Sequence, residues 1–273
     1  MKKRLLSATV FLPAIIALSF AGNYFFLLLI ALTAFVAAYE CNKILQKRNT
    51  AGLPLLSGSF SAILVVLTYF FGSISGYMNV IAITVLISSI ASMTWMLFYL
   101  ESTPRLIRGM AGLLAPAIYT GGILSLTITV REASQGLVII FYLITLTSAA
   151  DTGAYVIGKF VGKTPFFPRI SPSKTWEGSV GAMLCAIGAS VLFAIATSKT
   201  NIVNISITHS ILIGISVGFA GQIGDLYESS LKRKSRMKDS GTLIPGHGGI
   251  LDRIDSVIFN IPVIYYSMQW LIE

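Results

Sequence analysis

Charge is what this chain has least of. Only 11% of its 273 residues are Asp, Glu, Lys or Arg, against about 25% in an ordinary soluble domain. Meanwhile 55% are hydrophobic and the mean hydropathy is +0.79. A water-facing surface of normal size cannot be assembled from that composition, so disorder, coiled coil and an ordinary cytosolic enzyme are excluded. Cysteine is nearly absent too. Cys41 and Cys185 lie in or beside apolar stretches without metal-ligand spacing, and they leave the redox compartment open. The chain also lacks internal repeats and low-complexity tracts.

What it has instead is long apolar runs, at about 5–21, 24–39, 56–71, 77–100, 106–130, 136–158, 176–197, 211–229 and 251–272. A membrane-crossing helix takes about 20 residues, so nine would use about 180 and leave only connecting loops. The expected fold class is therefore all-α: a polytopic integral membrane bundle of about nine helices, with 1–273 as a single transmembrane domain. Its N-terminal helical part is 1–135 and its catalytic part 136–273. Pro116 and the pair Gly121–Gly122 interrupt the fifth run, which predicts a bent or broken helix there.

Nine spans require alternating sides. With the N-terminus in the cytoplasm, basic residues number three in 1–4, three in 42–49, two in 102–108, four in 159–174 and six in 232–253. Only Arg131 and Lys199 fall on the other side, so 18 of the 20 Lys and Arg are cytoplasmic. Cytoplasmic loops are enriched in these residues, which supports both the span count and an external C-terminus. The same rule accounts for the net charge of +9 without nucleic acid as a partner. The first 22 residues also fit a signal peptide (Lys2, Lys3, Arg4, an apolar stretch, then Ser19-Phe20-Ala21), and cleavage there would leave the downstream topology unchanged.

The acidic residues carry the most information, because a charge at membrane depth costs about 2.5–3.5 kcal/mol even on the lenient insertion scale. Asp151 falls near the cytoplasmic end of the sixth span, Asp225 near that of the eighth, and Asp252 near the cytoplasmic start of the ninth. Glu40 ends the second span at a similar level. Gly221, Asp225 and Ser229 repeat at i, i+4, i+8 on one helix face, with Glu228 beside them. Asp252, Asp255 and Ser256 do the same in the ninth helix. Gly214 and Gly218 form a small-xxx-small pair that admits a neighbouring helix.

Between Asp225 and Asp252 lies Lys232-Arg233-Lys234-Ser235-Arg236-Met237-Lys238-Asp239, with five basic residues in seven positions, and then Pro245-Gly246-His247-Gly248-Gly249. A basic loop alone would touch anionic lipid, and a glycine turn alone would be a turn. Together, between two membrane-level aspartates and before a helix N-terminus, they point to a phosphate and metal site. A second polar stretch follows the sixth span: Asp151-Thr152-Gly153-Ala154-Tyr155, Gly158-Lys159, Gly162-Lys163 and Ser171-Pro172-Ser173-Lys174-Thr175-Trp176-Glu177-Gly178. There Ser171 is expected to cap a turn, with Lys174 and Thr175 presented beside the next helix.

The series Ser229-Ser230-Leu231-Lys232-Arg233, Lys238-Asp239 and Ile244-Pro245-Gly246-His247-Gly248-Gly249-Ile250-Leu251-Asp252-Arg253-Ile254-Asp255 resembles the signature of phosphatidate cytidylyltransferases, also called CDP-diacylglycerol synthases. It spans 27 residues, from Ser229 to Asp255, with every defining position filled. The stretch Ser171-Pro172, Lys174-Thr175, Glu177-Gly178 is similar to the same family. The N-terminal half resembles it only in being a set of hydrophobic helices. The resemblance implies transfer of CMP from CTP to phosphatidic acid, giving CDP-diacylglycerol and pyrophosphate, with Mg²⁺ required.

On that reading Asp225 and Asp252 hold Mg²⁺, with a second cation left open. Lys174, Lys232, Arg233 and Lys238 clamp phosphates, and Gly246, His247, Gly248 and Gly249 cradle one. Asp151, Ser171, Thr175 and Glu177 arrange the nucleotide end, while Asp239 and Arg253 complete the substrate-binding set. The implied setting is the inner (plasma) membrane, with the site facing the cytoplasm, phosphatidic acid arriving from the cytoplasmic leaflet, and a homodimer left open.

A CTP-dependent polyprenol or dolichol kinase is the alternative enzyme, and a transporter the alternative of another class. A transporter would place its charges near the midplane and echo one half in the other, which this chain does not do. The Asp-Gly…Ala-Arg…Gly…Asp…Asp pattern of CDP-alcohol phosphotransferases is absent.

Overall fold

The computed structural model describes residues 16–47, 53–72, 109, 112–198, 203–243 and 248–270. Most of the first expected span, all of the fourth, the basic loop at 102–108, and Pro245, Gly246 and His247 lie outside the described residues. Among the described residues, six helices are long and apolar enough to cross a membrane. They are α1 (Asn23–Gln46), α2 (Pro54–Phe71), α3 (Gly112–Glu132), α4 (Gly136–Phe160), α5 (Trp176–Ser198) and α6 (Ile207–Lys234). They coincide with the second, third, fifth, sixth, seventh and eighth apolar runs. The ninth run forms α7 (Leu251–Trp270), with Pro262 inside it. The chain is thus a helical integral membrane protein.

The all-α expectation holds, with one small addition. After α4 the chain makes a two-stranded antiparallel hairpin, β1 (Pro165–Phe167) with β2 (Ser171–Thr175), in which Pro165 faces Thr175 and Phe167 faces Ser171. Pro165, Pro168 and Pro172 fix φ and remove three backbone donors, so a helix cannot continue through this segment. The Phe166 ring meets those of Phe167 and Trp176 edge-on, with centroids 4.6 and 4.3 Å apart. Those contacts tie the hairpin to the start of α5.

Two compact units divide the chain: Met1–Thr129 with Leu231–Arg253, and Val130–Ser230 with Ile254–Glu273. In the first, α2 presents Ser57, Gly58, Ser61, Leu64, Val65 and Thr68 as its buried face. Small residues at this spacing let helices approach closely where lipid provides no hydrophobic drive. The Ser61 hydroxyl donates to the Ala34 carbonyl of α1 (2.9 Å) and meets the Thr120 hydroxyl of α3 (2.8 Å).

The expected break in α3 is a π-helical turn, Ile118–Gly122, within a helix that continues. Pro116 has no N–H to give the Gly112 carbonyl, which accepts the Asn42 side-chain amide instead (2.7 Å). The Leu113 carbonyl likewise takes the Ser57 hydroxyl (3.0 Å). Neighbouring helices re-satisfy the groups that a proline frees, as a membrane interior requires.

In the second unit, α4 and α5 cross at glycines. A Cβ on Gly153 would lie 2.6 Å from both the Cys185 sulfur and the Gly181 carbonyl oxygen, beside the buried cluster Ala150, Ala182 and Ala186. The expected role of Gly214 and Gly218 holds, since Cβ atoms there would sit 2.6 and 3.0 Å from Ile187 Cα and Met183 Cα of α5. Polar pairs cross the same seams. Tyr142 and Ser190 hydroxyls lie 2.5 Å apart, Ser190 donates to the Ser210 carbonyl (2.6 Å), and Asn260 donates to Thr147 (2.9 Å).

These contacts give a signed contrast. Gly153→Ala drives a methyl into backbone and loses about 1–3 kcal/mol of stability by overpacking. Gly188, with nothing within 4 Å of its would-be Cβ, gains up to about 1 kcal/mol as Ala from helix propensity. Thermal aggregation of the two variants in detergent checks the opposite signs.

Candidate active site

The second unit contributes a lysine–carboxylate pair at the mouth of the hairpin. Lys174 on β2 reaches Asp225 of α6, with its ammonium 2.5 Å from Oδ2. Ser229, one turn further along α6, donates to Asp225 Oδ1 (3.2 Å), so the i, i+4 face expected from sequence is realised. The hairpin that delivers Lys174 is held at its base by two side chains. Thr175, rather than Ser171, caps the next helix: its hydroxyl accepts the Gly178 N–H (3.1 Å). Glu177 in the first turn of α5 accepts the Thr164 N–H on both carboxylate oxygens (3.2 Å each). Gly162 sits against the Thr175 side chain so closely that a Cβ there would collide with it. Ser171 opens β2 at the far end of the hairpin. Asp151 and Tyr155 are both exposed on one face of α4, and the Lys159 ammonium lies 3.4 Å from the Tyr155 hydroxyl.

The first unit contributes a second pair of the same kind, in a denser setting. Lys232, in the last turn of α6, places its ammonium 2.6 Å from Asp252 Oδ1 at the start of α7, with side chains only 13% and 6% exposed. Asp252 Oδ2 accepts three donors: the Ser240 N–H (2.9 Å), the Ser240 hydroxyl (3.0 Å) and the Gly249 N–H (2.8 Å). Gly248 turns through φ 84°, a conformation natural to glycine, and a Cβ there would crowd the same carboxylate. Around this core Arg233, Lys238, Asp239 and Arg253 are exposed.

The N–H groups at the start of α7 are met by the chain's own anions. Gly249 donates to Asp252, while Ile250 (3.2 Å) and Leu251 (2.9 Å) donate to Glu40, a 4%-exposed carboxylate inside α1, which continues past the expected end of the span to Gln46. Ser240 also donates to Glu40 (2.9 Å). The sequence placed Glu40 at this level but gave it no part in the site. Ser240 was likewise passed over, whereas Ser229 had already been placed on the face of Asp225.

Among the described residues no three Asp, Glu, His or Cys side chains gather closely enough to form a metal centre by themselves. Mg²⁺ commonly takes only one or two carboxylates and completes its shell with water and substrate phosphates. Asp225 in one unit and Asp252 in the other each offer the hard oxygen donors it prefers, and each carboxylate pairs with an ammonium at 2.5–2.6 Å. The residues therefore fit the cation that the resemblance implies.

Apolar helices whose polar ends carry lysine-paired aspartates and a glycine turn define a membrane-embedded protein built to handle anions. The chain belongs to the cytidylyltransferase family, whose sequence model matches residues 2–271. It is 40% identical over 153 residues to phosphatidate cytidylyltransferase of Bacillus subtilis (strain 168), covering 56% of this chain and 55% of that one. It is 32% identical over 267 residues to phosphatidate cytidylyltransferase of Staphylococcus haemolyticus (strain JCSC1435), covering 97% of each. It is 34% identical over 263 residues to phosphatidate cytidylyltransferase 5, chloroplastic, of Arabidopsis thaliana, covering 88% of this chain and 65% of that one. The matched segment thus spans about half the Bacillus relative and nearly the whole Staphylococcus one.

The cap at Thr175 sets the hairpin that carries Lys174. Thr175→Ala removes it at a cost of about 0.5–2 kcal/mol, and Arg169 at the hairpin turn becomes the faster trypsin site in limited proteolysis. Ser173→Ala, which changes an exposed strand residue, leaves the cleavage rate unchanged.

Proposed function

We propose that this protein transfers the cytidylyl group of CTP to phosphatidate, releasing pyrophosphate and leaving CDP-diacylglycerol in the membrane. Membership of the cytidylyltransferase family and the similarity to phosphatidate cytidylyltransferases support the reading. The single structural observation that carries it is the pair of lysine–aspartate contacts, Lys232–Asp252 within the signature residues and Lys174–Asp225 outside them, with Lys174 in the second stretch that is similar to the family.

The chemistry asks for little proton transfer. A phosphate monoester has its second pKa at about 6, so near neutrality its oxygen is already a competent nucleophile. A phosphatidate oxygen attacks the α-phosphorus of CTP in line, the bond from that phosphorus to the bridging oxygen breaks, and pyrophosphate leaves with the electron pair. The barrier is repulsion between two anions plus the charge spread over the transferring group, and fixed cations lower it.

Lys174, Lys232, Arg233 and Lys238 supply those cations, joined by Arg253. Gly246, His247, Gly248 and Gly249 shape the turn that lets phosphate approach the backbone. Asp151, Ser171, Thr175 and Glu177 order the nucleotide end, and Asp239 orients the basic loop. Asp225 and Asp252 hold Mg²⁺, which when bound neutralises phosphate oxygens. Lys174 and Lys232, now paired with these aspartates, would be the cations offered to substrate phosphate.

In the same reading nine helices cross an inner (plasma) membrane. The N-terminus is cytoplasmic, the C-terminus external, and the site lies at the cytoplasmic leaflet. The lipid then enters sideways with its tails still in the bilayer, while CTP comes from the aqueous side.

Purified protein given phosphatidate, CTP and Mg²⁺ forms CDP-lipid, and a chelator stops it. Asp225→Ala and Asp252→Ala abolish turnover while the variants still insert and purify; full activity in either removes that residue from the metal assignment. Lys238→Ala raises the apparent KM for CTP or lowers kcat, with no change in thermal aggregation.

A further inference from the structure

Glu40 accepts three hydrogen bonds from a distant part of the chain. It projects from the last two turns of α1 into the segment that precedes α7, about 200 residues later in sequence. Its Oε2 accepts the Ser240 hydroxyl and the Leu251 N–H, both at 2.9 Å, and its Oε1 accepts the Ile250 N–H at 3.2 Å. Ser240 is shared, because the same hydroxyl lies 3.0 Å from Asp252 Oδ2 and its backbone N–H donates to that oxygen at 2.9 Å. One hydroxyl carries one proton, so Ser240 donates to one carboxylate at a time and couples the position of both. Asp252 in turn holds Lys232.

The loop is cut to admit this carboxylate. A Cβ on Gly241 or on Gly249 would run into the Glu40 side chain. Glu40 and Asp252 also divide the N–H groups at the N-terminus of α7 between them. Each carboxylate there is stabilised by those groups and by the positive end of the helix dipole. A carboxylate inserted at such a point fixes the rotation of the first helical turn, and Asp252 is borne on that turn.

We propose that Glu40 is a positioning residue for Asp252. Through Ser240 and the N–H groups of Ile250 and Leu251, it sets where the Asp252 carboxylate and the Gly248–Gly249 turn lie. This inference rests on the reading of Asp252 as a metal-holding group. Partners that orient a metal ligand are typically worth roughly 10–100-fold in metal affinity. Glu40→Gln keeps the volume but replaces one acceptor oxygen by an amide that must face a donor. Ser240→Ala is the milder variant, removing only the hydroxyl shared by the two carboxylates.

The test uses the full-length protein in detergent, with Mn²⁺ as the probe, followed by electron paramagnetic resonance and by hydrogen exchange. In Glu40→Gln, exchange rises across 238–252 and stays unchanged in α4 and α5, and Mn²⁺ affinity falls roughly 10–100-fold. Ser240→Ala weakens Mn²⁺ less, and the double variant is no worse than Glu40→Gln alone. Unchanged exchange across 238–252 overturns the proposal. So does faster exchange there with undiminished Mn²⁺ affinity in both variants, since Glu40 would then be only a loop staple. Asp252→Asn run alongside separates the two claims. If it binds Mn²⁺ like the parent protein, the metal reading of Asp252 fails, while the exchange pattern in Glu40→Gln still decides whether Glu40 sets the turn.

Discussion

A charged side chain at the polar end of an apolar helix is tolerated only when something compensates it, and this requirement organises the whole functional part of the chain. Asp225 is compensated by Lys174 and Ser229, and Asp252 by Lys232, Ser240 and a backbone N–H. Glu40 is compensated by Ser240 and the start of α7. Breaking one partner of a well-buried pair typically costs about 3–5 kcal/mol because it strands the other charge. The more deeply buried Lys232–Asp252 pair is therefore more subject to that penalty than Lys174–Asp225, whose side chains are 25% and 36% accessible.

The apolar helices serve this arrangement by packing closely through small residues. Ser57, Gly58 and Ser61 seat α2 against its neighbours, and Gly153 with Gly181 brings the α4 and α5 backbones together. Hydroxyls and amides at those seams close backbone groups that proline or the π turn leaves open. A rigid frame matters for phosphoryl chemistry, where catalysis is mostly positioning and electrostatic stabilisation.

Much of this was legible in the sequence, for definite reasons. Apolar runs of about 20 residues have one physical use, so each described helix falls on an expected run. The i, i+4 spacing of Asp225 and Ser229 fixed a shared face before any coordinates. The Gly214–Gly218 pair foretold a close helix contact. Other features escaped because they depend on tertiary partners. The hairpin at 165–175 hides in what looks like a polar loop, since strands of three and five residues leave almost no periodic trace. The π turn could be suspected at Pro116, but its continuity depends on Asn42, some 70 residues away. Glu40 stands alone among apolar neighbours in α1, and nothing local says that its hydrogen-bond partners lie beyond residue 239.

The central claim is that these compensated charges serve an attack by a lipid phosphate on the α-phosphorus of CTP. The fate of the phosphorus atoms tests it most directly. Purified protein is supplied with phosphatidate, Mg²⁺ and CTP labelled on either the α- or the γ-phosphorus. The account predicts that α-label enters the lipid product and γ-label leaves in pyrophosphate. Label from the γ-position in the lipid, with CDP as the other product, would contradict it and make the protein a kinase.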